Sequence, residues 1–117
     1  MKLKLSFISE KNVILPMSYN HLLQALIYNL LDRNFAAWLH EKGFHYENRS
    51  FKLFCFSRIL EKANMDRSNK AFIFPSQISF VLSSPVEQIL EQFARNSVSR
   101  ERFRLGNNEL HLHAVEI

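Results

Sequence analysis

AFIFPSQISFVLSSPVEQILEQFA, residues 71–94, is the stretch whose reading decides the fold. Its first half is rich in Phe, Ile, Val and Leu, a strand composition interrupted only at Pro75. Proline cannot donate to a ladder, so Pro75 predicts an edge or a bulge. Ser84, Pro85 and Glu87 then read as a helix start: Ser84 caps, Pro85 suits the first turn, and Glu87 completes a capping box. Val86, Ile89, Leu90, Phe93 and Ala94 recur at helical spacing. A strand therefore runs straight into an amphipathic helix.

Upstream, the same order occurs once more. MKLKLSFIS, residues 1–9, alternates Leu3, Leu5 and Phe7 with Lys2, Lys4 and Ser6, the pattern of a half-buried strand. Pro16 and Ser18 are expected to open a helix whose stripe is Leu22, Leu23, Leu26, Ile27, Leu30 and Leu31. His21, Ala25, Tyr28 and Asp32 fall on its other face. A short helix follows in NFAAWLHEKGF, residues 34–44, with Gly43 as its stop. Phe35, Trp38 and Leu39 share one face of it, and His40 falls off that face.

Residues 44–50 read as loop, and FKLFCFSRIL, 51–60, as a strand that pairs with 71–84 in a long hairpin. RFRLGNNELHLHAVEI, 102–117, reads as strand, Gly-Asn-Asn turn, strand. The order strand, helix, strand, strand, helix, strand predicts an α+β, ferredoxin-like (RRM-like) βαββαβ fold. It has an antiparallel sheet, two main helices on one face, and one additional short helix. Such a fold hosts many functions, among them RNA recognition on the open sheet face.

The chain has 117 residues, one domain by length, with 47% hydrophobic residues and 11 phenylalanines for a core. Lys and Arg outnumber Asp and Glu by 15 to 11. The excess concentrates in residues 42–70, with seven basic residues against three acidic, and in 95–104, where Arg95, Arg100, Arg102 and Arg104 face Glu101. Two basic segments suit a phosphate-binding surface, and the first offers Lys42, Arg49, Arg58, Lys62, Arg67 and Lys70. The single cysteine, Cys55, excludes an internal disulfide, fits a cytoplasmic location, and sits in an apolar run as expected buried filler. No apolar stretch reaches the roughly 18 residues of a membrane span.

Four side chains are candidates for chemistry: Tyr28 and His21, two turns apart on the first helix, His40 on the next, and Lys52 at the start of the following strand. Each has a bland alternative: a solvated histidine, a packing tyrosine, a solvent-facing lysine. Their combination beside the basic 42–70 segment is the signal. His111 and His113 are expected on one strand face, but two ligands without a third Cys, Asp or Glu do not make a zinc site. No metal and no cofactor is expected: a phosphate-binding loop, a dinucleotide fingerprint and a nucleophile elbow are all missing.

VILPMSYNHLLQALIYNLL, FAAWLHEKGF and FKLFCFSRIL, with ERFRLGNNELHLHAVEI at the end, resemble the N-terminal domain of the CRISPR-associated endoribonucleases that cut repeat RNA into guide units, the Cas-six family. The likeness spans the whole chain. It implies metal-independent cleavage of RNA, with His40 as the family's histidine and Tyr28 and Lys52 as its assistants; His45 and Tyr46 stand in reserve. Members carry a second ferredoxin-like domain and a glycine-rich loop, so residues 1–117 are expected to be the N-terminal half of a two-domain protein. The implied partners are CRISPR repeat RNA and other CRISPR effector subunits, with no membrane. A face left open by a missing second domain is a candidate for self-association. The competing expectations are an RNA-binding module without catalysis and a protein-interaction domain.

Overall fold

The structure is a computed structural model. It describes residues 2–46, 49–51 and 53–117, and only the backbone at 45, 46 and 49–51.

The main sheet has five strands. β1 (Lys2–Ile8) lies at its centre and pairs antiparallel with β8 (Gln77–Ser83) and β10 (Asn108–Glu116). β5 (Cys55–Phe56) extends the β8 side, and β9 (Phe103–Leu105) the β10 side, giving the order β5-β8-β1-β10-β9. Without the added β9, this is the strand arrangement of a ferredoxin-like unit. α1 (Asn20–Tyr28) and α3 (Glu87–Ser99) cover one face, and α2 (Arg33–Glu41) is the short extra helix.

The alternation in β1 does what its pattern predicts. Leu3, Leu5 and Phe7 are buried with Ile78, Phe80 and Leu82 of β8. Against them pack Leu23, Leu26 and Ile27 of α1 and Ile89 and Phe93 of α3. Phe7 stacks on Phe80 at 5.8 Å and meets Phe103 edge-on at 5.1 Å.

The opposite face carries Lys4, Ser6 and Ile8 beside Gln77, Ser79 and Val81, with His111, Ala114 and Glu116 on the far side. These positions hold no Phe, Tyr or Trp. The platform on which RRM-type modules stack bases is therefore not built here. The register shifts between Ser6 and Phe7, whose partners are Ala114 and Leu112, so a bulge at His113 separates it in the ladder from His111.

Several local expectations are corrected. The first helix opens at Asn20, not Pro16, because Val13–Pro16 forms β2. The long hairpin of 51–60 with 71–84 is replaced by shorter pieces. β6 (Asn64–Asp66) and β7 (Ala71–Phe74) join β2 in a separate three-stranded sheet, order β2-β7-β6. Pro75 marks the break between β7 and β8. Regular pairing of the preceding segment ends after Phe56, because Ile59 turns into the core, where its N–H donates to the buried Tyr19 hydroxyl at 3.2 Å.

Beyond that point two isolated backbone bonds, Ser57 N–H to the Val81 carbonyl and Leu60 N–H to the Ser79 carbonyl, and two side chains complete the β8 edge. Ser57 Oγ accepts from the Val81 N–H at 2.9 Å, and the Glu61 carboxylate accepts from the Ser79 N–H at 2.6 Å and its hydroxyl at 2.7 Å. Cys55 is exposed rather than buried, since its neighbours Phe54 and Phe56 turn inward. Residues 44–50 are not all loop: β3 (Phe44–Tyr46) pairs antiparallel with β4 (Arg49–Phe51). Ser84 does not cap α3. Its hydroxyl donates to the Leu53 carbonyl at 2.6 Å and accepts from the Val86 N–H at 3.0 Å, and the helix starts at Glu87.

Two glycines behave as the sequence predicts. Gly43, at φ +68°, ends α2, with its N–H on the Trp38 carbonyl at 3.1 Å. Gly106, at φ +61°, is the first residue of the two-residue turn between β9 and β10.

Candidate active site

α1 and α2 meet at a tight corner. After Tyr28 the chain closes with i→i−3 bonds, Leu30 N–H to Ile27 and Leu31 N–H to Tyr28, and Leu30 and Leu31 are buried. Asp32 then fixes where α2 begins. Its N–H donates to Gln92 Oε1 at 3.0 Å, and its carboxylate takes both contacts of Arg95 Nη2 (2.9 and 3.0 Å) and one from Asn96 (3.1 Å). All three partners belong to α3. The Asn96 and Arg95 hydrogen bonds hold the Asp32 carboxyl below its ordinary value. Leu39 then packs into the core, which turns the next residue, His40, outward.

That corner brings two predicted residues together. The Tyr28 and His40 rings lie 5.9 Å apart at 75°, edge to face. His40 is exposed and Tyr28 half-buried, so an incoming ligand reaches the imidazole while the phenol is held by packing. Tyr28 also meets Phe54 at 5.6 Å and 73°, and Phe54 meets Phe93 of α3 at 5.7 Å and 74°. A column of four rings thus runs from the core to the surface histidine.

Lys52 lies outside the described residues. Leu53 and Phe54, which follow it, are placed: Leu53 at φ +57° with its carbonyl on Ser84, and Phe54 against Tyr28. The side chains of His45, Tyr46 and Arg49 are likewise outside the description. His21 is exposed at the other end of α1, about 10 Å along the axis from Tyr28.

The cations divide into two groups. Lys42 is exposed two residues past His40, as the last-turn cap of α2. Arg58, Lys62, Arg67 and Lys70 are exposed around the three-stranded sheet. Arg58 donates to the Tyr19 hydroxyl at 3.2 Å and lies 4.9 Å above that ring. Tyr19 precedes α1, so the residue that Arg58 covers lies about 13 Å along the helix from Tyr28.

The acids nearby are engaged by neutral donors: Glu61 by Ser79, and Asp66 by the side chain and N–H of Asn69, which lower the Asp66 carboxyl below its ordinary value. The second basic segment is weaker than its composition predicts. Arg95 is taken by Asp32 at 2.9 Å and Arg102 by Glu109 at 3.2 Å. Nothing in the local sequence signals either pairing, because Asp32 and Arg95 are 63 residues apart. Phe54 escaped the sequence reading for the same reason.

Among the described residues no group of three or more His, Cys, Asp or Glu is placed to hold a metal ion, and no helix is long and apolar enough to cross a membrane. His111 Nδ1 lies 3.0 Å from the Glu101 carbonyl.

No curated protein matches the chain. Three solved structures are similar in fold, each covering 99% of this chain. One is described as CRISPR associated protein Cas6, at TM-score 0.70 and 20% identity. A second is described as an RAMP protein binding different RNA substrates, at 0.75 and 22%. The third is a Cas6-related protein from Pyrococcus furiosus, at 0.76 and 18%. This chain spans 46–47% of the length of each. The family model for CRISPR-associated protein Cas6, N-terminal, matches residues 14–116, and the chain belongs to that family.

Proposed function

We propose that this chain is the N-terminal half of an endoribonuclease that cuts CRISPR repeat RNA into guide RNAs without a catalytic metal ion, acting in the cytoplasm. Family membership and likeness to a RAMP protein that binds RNA support RNA as the ligand. The share of its relatives' length that the chain spans supports a second domain. The observation that carries the catalytic reading is the contact of an exposed His40 with a packed Tyr28 at 5.9 Å.

RNA supplies its own nucleophile. The 2′-hydroxyl attacks the adjacent phosphorus, the bond to the 5′-oxygen breaks, and the products are a 2′,3′-cyclic phosphate and a 5′-hydroxyl. This needs a base at the 2′-hydroxyl, an acid at the leaving oxygen and positive charge at the phosphate. Imidazole titrates near neutral pH and serves either proton transfer. In this reading His40 moves a proton, Tyr28 positions the hydroxyl or shares the base role, and Lys52 stabilises the charged phosphate. Lys42, Arg49, Arg58, Lys62, Arg67 and Lys70 hold the RNA backbone, with other CRISPR effector subunits as further partners.

The test is cleavage of repeat RNA by the intact protein in excess chelator. Cyclic-phosphate products, and none from RNA with a single 2′-deoxy substitution at the cut site, are expected. Binding without product under those conditions would reduce the role to holding RNA; cleavage of the deoxy substrate would remove the scheme.

A further inference from the structure

The ring column behind His40 has its own consequence. Three successive contacts, Phe93–Phe54, Phe54–Tyr28 and Tyr28–His40, span 5.6–5.9 Å at 73–75°. Phe93 is fully buried on α3, so the column starts from a rigid point. Tyr28 is the last residue of α1, where helix ends fray, and helical bonding alone holds it weakly. Phe54 meets its ring at 5.6 Å and braces it.

The backbone before Phe54 is held in an unusual way. Leu53 adopts φ +57°, a left-handed conformation that is strained for a residue with a branched side chain. The buried Ser84 hydroxyl donates to its carbonyl at 2.6 Å. Strain of this kind persists where surrounding contacts impose it, and such positions cluster at functional sites. Here the imposed turn sends residue 54 inward onto Tyr28.

We propose that Phe54 is a positioning residue for RNA cleavage: wedged between Phe93 and Tyr28 and latched through Leu53 to Ser84, it fixes the Tyr28 ring and through it the orientation of His40. This inference rests on the reading of His40 and Tyr28 as the cleavage site. Phe54 touches neither RNA nor the reacting atoms in this scheme. Its effect is on rate through geometry, since small displacements of a catalytic group lower turnover steeply.

The test is a cycle in the intact protein, with repeat RNA, single-turnover cleavage rates and separately measured RNA affinity. Phe54→Leu should slow cleavage about tenfold with affinity unchanged, and Phe54→Tyr, which keeps a ring, should recover most of the rate. In a Tyr28→Ala background Phe54→Leu should cost nothing further, because residues acting through one another are non-additive. Equal losses in both backgrounds, or a tenfold loss of affinity with an unchanged rate, would overturn the proposal.

His40→Ala separates the two levels. If it loses turnover while Phe54→Leu and Tyr28→Ala act additively, the cleavage-site reading stands and the positioning role falls. If it cleaves at the full rate, both fall. Ser84→Ala keeps all four ring side chains and removes the hydroxyl that latches Leu53, together with its contact to the Val86 N–H, so it carries the same cycle should Phe54→Leu fail to fold. An unchanged rate in Ser84→Ala under those circumstances counts against the proposal.

Discussion

Arg95 grips Asp32 through both carboxylate oxygens, at 2.9 and 3.0 Å, and so ties the α1–α2 corner to α3. The pair is half-exposed, and its role is to place the start of α2, seven residues before His40.

The Asp32 contact has a pH signature. Hydrogen bonds from Asn96 and Arg95 keep the folded carboxyl below its ordinary value of 3.8. A depressed value stabilises the folded state above 3.8, and that stabilisation disappears as pH falls through the lowered value. Thermal melts from about pH 6 down to 2 should show Asp32→Asn less stable than the parent at pH 6, with the two curves converging at the acid end. Parallel curves would show that the carboxylate charge contributes nothing.

His40→Ala should keep RNA affinity within about twofold and slow cleavage by roughly 10²–10⁴, the span of one proton-transfer catalyst. Electrophoretic binding and single-turnover rates on the same preparation check it. An unchanged rate would move the assignment to His45 or His21.

Arg67→Ala with Lys70→Ala removes two exposed charges from the turn between β6 and β7. Binding should weaken, and the slope of log affinity against log salt should shrink by about 1.4 if both contact single-stranded phosphates. The cleavage rate at saturating RNA should hold. An unaltered salt slope would take the three-stranded sheet out of the RNA path.

Gly106→Ala places a methyl where φ is +61° and where Leu22 Cδ1 lies 3.2 Å from the new carbon. A left-handed alanine costs about 1–2 kcal/mol, which a urea midpoint would register. A midpoint equal to the parent's would show that the β9–β10 turn relaxes freely.

Much of the architecture was legible because its signals are local. Alternation in β1, the stripe of α1 and the Gly43 stop each involve neighbours in the chain, and the structure keeps them. Tyr28 and His40 were named together on the strength of the family resemblance, and the tight corner that joins their helices is what brings the two rings into contact. What was illegible depends on distant partners. Tyr19 draws Ile59 out of its strand across 40 residues, and Leu53 takes the Ser84 hydroxyl away from its capping position across 31. The sequence overrated the arginines of 95–104, since charge counting ignores Asp32 and Glu109.

The way Ser57 and Glu61 finish β8 reaches beyond the monomer. An open sheet margin is a template on which another chain can zip, the first step of runaway cross-strand growth. On β8 the amide donors of Ser79 and Val81 are already engaged by a carboxylate and a hydroxyl. An arriving strand would have to strip those oxygens away before gaining a single ladder bond. That margin is closed to recruitment without a full-length neighbouring strand.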